Sequence, residues 1–550
     1  MANAGAVNIE VMLKLASDLL NTDKSVSPQM RALVSLLVAT VVNQAEQLHL
    51  AKEQIQALRD EVAILKGEKP RPKIPKSALE GKGAKDESKK SEEGKRPGSA
   101  KRSKTDELEI HETIKLNPDG VGPGWIFKGY SDFIVQGLVI EPHNTKYQRA
   151  RWLTPDGETV IASLPLSVTG HFDSTLISYI QHQHFACRVT QPLLLEQIRD
   201  IGIDISSGQI SAILTEDKDS FHREKAAILA AGLSVSAFIQ TDDTGARHKG
   251  KNGYCNCIGN DLFAFYSSSD SKSRVNFLGL LRAGHEDYVI NSDASAYMRQ
   301  QNLPQSVIDL LLGSEPKQFL NQTTWKSQLV TLGITSGRHI QIATEAALLA
   351  SALSHGLSKE MVILSDDAGQ FNILLHALCW IHAERTINKL VGFTEDQRAA
   401  IALVRDQIWG LYKRLKAYKS LPSQDLRQEI EAEFTAIFSQ KTCFISLNLA
   451  LGRLAKNKTE LLRVLDHPDI PLHNNAGETD MRDRVTQRKV SGGTRSDLGR
   501  CARDTFASLK RTCRKLGVSF WRYLQDRNAA VNHIPQLSQL ILVRAAARAG

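Results

Sequence analysis

Three acidic residues, far apart in the chain, have the type and placement needed for metal-dependent phosphoryl transfer. Asp242 and Asp366 each follow an apolar run that predicts a buried strand, in VSAFIQTDDTG and EMVILSDDAG. Glu478 lies in the first turn of a predicted helix, after the Asn pair of HNNAGETDMRDR. Each acid alone is more often structural, since Asp is a frequent turn former. Together they offer the oxygen ligands that Mg²⁺ prefers, and we expect Mn²⁺ to substitute.

The segment after Glu478 is basic, which suggests a polyanion beside the predicted metal site. Two divalent ions can activate an attacking oxygen and stabilise the leaving oxygen at a phosphodiester. Arg482 lies one turn after Glu478 on the same helix face. The residues that we predict to contact the DNA backbone are Arg482, Arg484, Arg488, Lys489 and Arg495. In this interpretation the acid holds metal and the basic residues hold phosphate.

The distribution of charge also favours a polyanionic partner. The chain has 550 residues and a formal net charge of +9. Residues 66–104 contain fourteen Lys or Arg and six Asp or Glu, and a second basic region spans 482–515. Two separated basic regions are typical of nucleic-acid binding, although most charge runs are only solvated surface.

Cysteine content and hydropathy predict a soluble cytoplasmic protein, associated with the nucleoid when bound to DNA. The seven Cys are an odd number, which favours a reducing compartment. The N-terminal segment carries charges that a signal peptide lacks. The most apolar stretch, LVSLLVATVV, is too short to span a bilayer, so we expect no membrane contact.

The N-terminal third divides by composition into four segments. Residues 1–67 carry two apolar seams at heptad spacing, which favours a coiled coil and self-association over an amphipathic helix packed on its own domain. Residues 68–106 predict a disordered basic linker. Residues 107–172 predict a small β-rich segment, with strands in FIVQGLVIEP and ETVIASLPL. Residues 173–232 predict helices, with a helix-turn-helix spacing around Gly202 that any packed helix pair can also give.

The remaining chain predicts an α/β core with a helical interruption. Residues 233–391 form its first part, including a hairpin around Gly259. Residues 392–468 are strongly helical. Residues 469–530 form the last part, with Glu478 and basic helices, and residues 531–550 are a C-terminal tail.

Three motifs resemble a known family: QTDDTGAR, LSDDAGQF followed by HALCWIHAER, and HPDIPLHNNAGETDMRDRVTQRKVSGGTRS. Together they are similar to the DDE transposases of the insertion-sequence sixty-six (IS66) family. The resemblance is strongest over residues 360–525 and fair over 190–290. It implies a ribonuclease-H-like catalytic core with a helical insertion at 392–468, and Asp242, Asp366 and Glu478 as its metal-binding triad.

The resemblance also implies a reaction and its partners. Water would cut double-stranded DNA at transposon ends, and the freed 3′-hydroxyl would attack target DNA. We expect a homo-oligomer formed through the coiled coil, with possible helper proteins. Two other functions stay open: a catalytically inactive DNA-binding relative, and a metal-dependent nuclease of the same fold.

Two departures from the family pattern affect these expectations. Family members usually carry a Cys-rich zinc-binding segment before the core, but residues 107–170 contain no Cys, so we expect that zinc site to be absent. Asp293 in YVINSDASAYM also follows an apolar run and rivals Asp366 as second acid. We favour Asp366 because CWIHAER follows it as the family pattern requires. Asp243 and Asp367 are adjacent acids that can be mistaken for the ligands.

Overall fold

The computed structural model of this chain describes residues 108–165, 168 and 170–549, and four isolated residues: Ser27, Met30, Leu37 and Thr40. Apart from those four, the predicted coiled coil (1–67) and basic linker (68–106) lie outside the described residues. The chain divides into two units, residues 1–136 and 137–550. In the first unit, the described residues 108–136 contain no helix or strand and are almost all exposed.

The predicted β-rich segment contains one short hairpin. Strand β1 (Arg151–Leu153) pairs antiparallel with β2 (Thr159–Ile161). The strand predicted in ETVIASLPL is β2, and β1 lies before that stretch. The strand expected in FIVQGLVIEP is wrong, because residues 133–142 have no regular secondary structure. A strand needs a paired neighbour and a buried face, whereas the side chains of Phe133, Val135 and Leu138 are exposed.

The helices expected in residues 173–232 are present. They are α1 (Ser174–Phe185), α2 (Gln191–Asp200), α3 (Ser207–Thr215) and α4 (Asp219–Val235). Gly202 adopts a left-handed φ of 96° in the turn between α2 and α3, where a side chain would be strained. Ser206 and Gln209 form a capping box at the start of α3. The helix–turn–helix arrangement is confirmed, and its contact with DNA stays a prediction.

A five-stranded mixed sheet lies at the centre of the second unit, in the order β5-β4-β3-β8-β9. Its strands are β3 (Phe238–Gly245), β4 (Tyr254–Gly259), β5 (Ala264–Ser269), β8 (Val362–Ser365) and β9 (Leu375–Leu378). Strands β3, β4 and β5 pair antiparallel, and β3, β8 and β9 pair parallel. The α/β class and the hairpin around Gly259 are therefore confirmed.

Helices occupy most of the chain between and after these strands. Between β5 and β8 lie α5 (Arg274–Leu281), β6 (Tyr288–Val289), α6 (Ser292–Gln300), α7 (Gln305–Gly313), β7 (Gln318–Phe319), α8 (Gln322–Thr331) and α9 (Gly337–Ser354). After β9 come α10 (Trp380–Asn388), α11 (Glu395–Ser420), α12 (Gln424–Ser439), α13 (Ile445–Lys456) and α14 (Lys458–Leu461). The last helices are α15 (Asn475–Ser491), α16 (Asp497–Lys515), α17 (Phe520–Asn528) and α18 (Leu537–Ala549).

The helical insertion shares a hydrophobic core with the sheet. Because side chains alternate along a strand, β8 contributes to two cores. Ile363 packs in the core that contains helices α5 and α9, whereas Val362 and Leu364 pack in a core built mainly from residues of the insertion. The indole N–H of Trp380 donates to the Leu461 carbonyl at 2.8 Å within this second core. The insertion is therefore packed against the strand that leads to Asp366.

Helices α15 and α16 cover the antiparallel strands through a third, small core. It joins Cys255, Cys257 and Tyr266 of the strands to Met481 of α15 and Ala507 of α16. Helix α15, which carries Glu478, therefore packs against strands β3 and β4. Over the described part of the chain, no helix combines the length and apolarity needed to cross a bilayer.

Candidate active site

Asp242 and Asp366 lie side by side on neighbouring parallel strands. Gln240 of β3 is in register with Leu364 of β8, and each acid lies two residues further along its strand. Asp242 Oδ1 accepts a hydrogen bond from the Asp243 N–H at 2.8 Å, and Asp366 Oδ1 accepts one from the Ala368 N–H at 3.2 Å. Asp366 lies just past the last residue of β8, as predicted. Asp242 was expected to follow its strand in the same way, but β3 continues to Gly245, so Asp242 lies within it.

The start of helix α15 is fastened to β3 beside this pair. The Gln240 side-chain amide donates to the His473 carbonyl at 3.1 Å, and the Asn474 amide donates to the Thr241 carbonyl at 2.8 Å. The Asn474 side chain therefore bonds to strand β3 and does not cap helix α15. A Cβ at Gly477 would lie 2.5 Å from Asn474 Oδ1. These contacts bring the first turn of α15, and Glu478, to the strand that carries Asp242.

Asp242 lies close to both of the other predicted metal ligands. Burial raises the pKa of Asp242 to about 7, against a hydrogen bond from the Asp243 N–H that lowers it, and the nearby carboxylates of Asp366, Asp243 and Glu478 raise it further. Burial also raises the pKa of Asp366, which the neighbouring His382 partly offsets. Clustered carboxylates in a buried place disfavour ionisation unless a cation neutralises them. No cation is among the described groups that shift the pKa of Asp242.

Glu478 lies among cations that do not bond it fully. Its side chain is 15% exposed, with His382 Nε2 at 3.5 Å and Arg385 Nη1 at 3.8 Å from Oε1. Arg482 Nη2 lies 3.4 Å from Oε2, as the one-turn spacing predicted. Within the described residues, Glu478 Oε1 has no hydrogen-bond partner, and the same holds for Thr241 Oγ1, Asn474 Oδ1 and His382 Nδ1. Buried polar atoms rarely lack partners, so this cluster fits a site built for a ligand.

The acids adjacent to the pair are already neutralised. Asp243 accepts from Lys272 Nζ at 2.5 Å and from the Gln370 amide at 2.6 Å. Asp367 pairs with Arg453 of the insertion. The structure thus separates Asp242 and Asp366, which have no direct cation, from their sequence neighbours.

Asp293 does not join this group. It lies in the first turn of α6 and pairs with Lys359 Nζ at 2.5 Å. Unlike Asp366, it is not on a strand beside β3.

The three acids have the donor set for a hard cation but are not drawn together around one point. In the described part of the chain, a trio of His, Cys, Asp or Glu ligand atoms all within 4.8 Å of one another occurs elsewhere, at His285, Asp287 and His355. A wider spacing is compatible with two ions about 3.5–4 Å apart. The orphaned Glu478 oxygen and the raised pKa of Asp242 make these residues fit for divalent cations.

The residues predicted to contact DNA differ in how far their side chains are exposed to solvent. Arg482, Lys489 and Arg495 are exposed. Arg488 is half-buried and donates to Thr244 Oγ1 at 3.2 Å and to the Gly245 carbonyl. It therefore supports β3 and leaves less of its guanidinium for a phosphate.

The prediction that Arg484 contacts the DNA backbone is wrong. It is 6% exposed, and its guanidinium donates to Asp504 Oδ1 at 2.6 Å and to Gln487 Oε1 at 2.8 Å. It also lies over the Tyr266 ring. A guanidinium neutralised inside the fold is not available to a DNA phosphate, so Arg484 is a structural residue.

A basic cavity beside β3 contains arginines that the sequence analysis did not select. It is lined by Gly245, Arg247, Arg488, Arg500 and Arg503, among other residues. Burial, together with the nearby Arg484, lowers the pKa of Arg503 to about 10. The spacing of Arg500 and Arg503, three residues apart on one helix face, was the available signal.

Comparisons with known proteins identify the family that this chain resembles. The family model described as "Transposase IS66 family" matches residues 321–501, which include Asp366 and Glu478. A protein of Sinorhizobium fredii (strain NBRC 101917 / NGR234), named "Uncharacterized protein y4jO", is 43% identical over 302 residues. That alignment covers 54% of this chain and 94% of the relative.

Proposed function

The chain belongs to the IS66 family of transposases, and on that premise we propose that Asp242, Asp366 and Glu478 are the acids of a metal-dependent DNA strand cleavage and strand transfer site. The DNA substrate would be the ends of an insertion sequence, and then a target duplex. The reaction class would be polynucleotidyl transfer of the DDE type.

One observation carries the proposal. Asp366 and Glu478, from two other elements of the chain, lie close enough to Asp242 to raise its pKa, while the adjacent Asp243 and Asp367 are paired with cations. The carboxyl end of a parallel strand is a frequent place for a reaction centre in α/β proteins, and Asp366 follows the carboxyl end of β8. Grouped acids with perturbed pKa values mark candidate functional sites.

The sheet supports the ribonuclease-H-like core that the resemblance implies. Its three antiparallel strands are followed by two parallel ones, and the insertion enters after α10. Asp242 lies on the first strand of this order and Asp366 at the end of the fourth, next to it in space. The proposal of a ribonuclease-H-like core rests on the order and direction of these strands.

The residues of the site have separable roles. Asp242, Asp366 and Glu478 would hold Mg²⁺, with Mn²⁺ as substitute, since hard cations take oxygen ligands. Bound there, the metal would activate the attacking oxygen and stabilise the leaving one. His382 and Arg385, on α10, lie 3.5 Å and 3.8 Å from Glu478 and orient its carboxylate. The exposed Arg482, Lys489 and Arg495 would hold the DNA backbone, which positions DNA without reading its sequence.

Phosphoryl transfer asks mainly for positioning and charge neutralisation. Two observations support such a role: Glu478 Oε1 has no hydrogen-bond partner among the described residues, and Arg482 and Lys489 of α15 are exposed. Self-association through residues 1–67 and a need for helper proteins stay predictions.

A strand-cleavage assay with neighbouring acids as controls tests the proposal. The purified full chain would be incubated in Mg²⁺ or Mn²⁺ with a plasmid that carries the DNA flanking its own gene. We expect Asp366→Asn to abolish cleavage while DNA binding persists. Asp367→Asn is the matched control, one residue away, and should retain cleavage. Asp293→Asn tests the rival acid and should also retain it.

The products decide between the remaining functions. Joined products, in which a 3′ end is linked to target DNA, are expected for a transposase. Nicks without joining would indicate a nuclease, and DNA binding without metal-dependent nicking would indicate an inactive relative. Full cleavage by Asp366→Asn, or its loss in Asp293→Asn alone, would reject the assignment of the second acid.

A further inference from the structure

The turn between β3 and β4 is joined to the loop between α15 and α16. The Thr494 N–H donates to the Arg247 carbonyl at 3.0 Å, and the Lys249 N–H donates to the Thr494 carbonyl at 2.8 Å. The His248 ring is hydrogen-bonded to Thr494 Oγ1 at 2.8 Å and to Asp497 Oδ1 at 2.9 Å. These contacts hold two basic segments, distant in sequence, in one fixed arrangement.

The basic cavity beside β3 lies at this junction and takes arginines from both segments. Its volume is about 20 Å³, which is enough for about one water-sized group. A nucleobase would not fit. An oxygen atom of an anion could enter the cavity while the rest of the anion stays at its mouth.

Three guanidiniums of this cavity are bonded only to neutral oxygens. Arg503 Nη1 donates to the Gly492 carbonyl at 2.8 Å, and Arg247 Nη2 donates to the Gly250 carbonyl at 3.0 Å. Arg488 donates through Nη1 to a hydroxyl and a carbonyl of β3. Within the described part of the chain, none of the three forms an ion pair with a carboxylate. A guanidinium has five N–H donors, so most donors of these side chains stay available.

The other two arginines of the cavity are already neutralised. Arg484 pairs with Asp504 at 2.6 Å, and Arg500 pairs with Asp270 at 2.9 Å. Burial lowers the pKa of Arg503 to about 10, as expected for a cation that leaves water without gaining a partner anion. Buried charges are ordinarily paired, so the cavity has positive charge that an anion would compensate.

The cavity lies on the same face of the sheet as Asp242. Thr244 lines the cavity and follows Asp242 by two residues on β3. Residues two apart on a strand point to the same face, with Cα atoms about 7 Å apart. In register, Asp242 pairs with Cys257 and Thr244 with Cys255, and both Cys pack against α15 and α16. The cavity is therefore one strand repeat beyond the first acid, on the side of α15.

We propose that Arg247, Arg488 and Arg503 bind one backbone phosphate of DNA, next to the phosphodiester at the acid triad. The planar guanidinium fork matches the oxygens of a phosphate. One oxygen would enter the cavity, and the others would stay at its mouth beside the exposed Arg247. The proposal rests on the proposed function for the identity of the polyanion. The contact would position a neighbouring nucleotide without reading its base.

DNA binding without metal tests the proposal with two cations of one turn. Fluorescence anisotropy would measure binding of the full chain, in chelator, to a labelled duplex from the DNA that flanks its gene. Arg247→Ala should weaken binding by about 10- to 100-fold, since it removes hydrogen bonds between charged groups. Lys251→Ala removes an exposed charge from the same turn but outside the cavity, and should weaken binding by at most about 5-fold. Equal losses in the two variants would overturn the proposal.

A second comparison keeps the charge and removes the fork. The double variant Arg247→Lys/Arg503→Lys should weaken DNA binding by about 10-fold or more, although both positive charges remain. Arg338→Lys, on α9, changes an exposed arginine outside the cavity and should bind as the parent chain does. Thermal unfolding shows whether each variant is folded. A folded double variant with the DNA affinity of the parent chain would contradict a phosphate site.

Inorganic phosphate distinguishes a phosphate of DNA from a free one. Suppose that millimolar phosphate raises the unfolding temperature of the parent chain but not of the double variant, while both bind DNA equally. The cavity would then hold a free anion, and the assignment to DNA would fail. All these measurements are made in chelator, so they do not depend on strand cleavage. Failure of the acid triad in the cleavage assay is therefore distinct from failure of this phosphate site.

Discussion

Two charged regions lie on the same helix, α15, and they differ in how their acids are compensated. Glu478, in the first turn, faces Asp242 and keeps a buried oxygen without a hydrogen-bond partner in the described structure. Asp480, two residues later, is almost fully buried and pairs with both Arg511 and Lys515. The two acids of one helix turn are therefore compensated differently. Both carboxylate oxygens of Asp480 are paired with cations, whereas Glu478 has its nearest cations at 3.4–3.8 Å and keeps one oxygen without a hydrogen bond among the described residues.

The paired region extends through the C-terminal helices. Asp483 pairs with Lys510 at 2.5 Å, and Glu224 of α4 accepts from Arg527 at 2.9 Å. Because burying a charge is costly unless it is paired, such networks are complete inside the fold. The acid triad lacks that completion, and this contrast supports a catalytic role more strongly than acidity alone.

We expect the largest effect on DNA strand cleavage, from a substitution of Glu478. Glu478→Gln should lower strand cleavage by about 10³-fold or more, as for other residues that act directly in a catalytic unit. The stability of the fold should be unchanged or slightly higher, because the substitution removes a carboxylate from a crowded group. Cleavage rates and denaturant unfolding of the same preparations check both. Retained cleavage would show that Glu478 has no catalytic role and does not differ from Asp480 in this respect.

The converse substitution should act on stability. Asp480→Asn leaves Arg511 and Lys515 without their buried carboxylate, and breaking such a group costs about 3–5 kcal/mol of unfolding free energy. Urea unfolding monitored by circular dichroism measures the loss. A destabilisation below about 1 kcal/mol would show that the paired region is less important for the fold than the geometry indicates.

The raised pKa of Asp242 predicts a pH-dependent gain from its removal. A carboxyl whose pKa is about 7 when folded and near 4 when unfolded binds more protons in the folded state between those values. Its contribution to stability is therefore lost as the pH rises through about 7. In chelator, Asp242→Asn should stabilise the protein at about pH 8, by at most about 4 kcal/mol, and hardly at all near pH 4.5. A gain that is independent of pH would contradict the shift.

The smallest expected effect concerns the exposed basic residues. The double variant Lys489→Ala/Arg495→Ala should weaken DNA binding uniformly across sequences. It should reduce the slope of log affinity against log salt by about one per residue. Lys489→Arg/Arg495→Lys keeps both charges and is the matched control. If the slope of the alanine variant is unchanged, these side chains do not hold phosphate.

Much of the core was predictable from the sequence because its signals are local. Apolar runs predicted β3 and β8, the Gly259 turn predicted the hairpin, and the Asn pair followed by Glu478 predicted the start of α15. The prediction that an acid follows each strand is confirmed for Asp366 and wrong for Asp242, because β3 continues to Gly245.

The rest depends on partners that are distant in sequence. The basic run after Glu478 gave no sign that Arg484 turns inward, because its partner Asp504 belongs to the next helix. The apolar residues of 133–142 favour a strand, but a strand forms only where a neighbour pairs with it. The Asn474 amide bonds to Thr241 of β3, more than 200 residues away, instead of capping the helix that follows Asn474. The His285, Asp287 and His355 group joins segments about 70 residues apart, so no spacing rule could reveal it.

The most direct test of the central claim is the location of bound metal. Crystals of the full chain would be soaked in Mn²⁺, and its anomalous scattering would mark each ion. The acid triad predicts a peak about 2–2.5 Å from the carboxylate oxygens of Asp242 and Asp366, with Glu478 beside it or beside a second ion. Mn²⁺ bound elsewhere, with no peak near these three carboxylates, would contradict a metal-dependent active site in this protein.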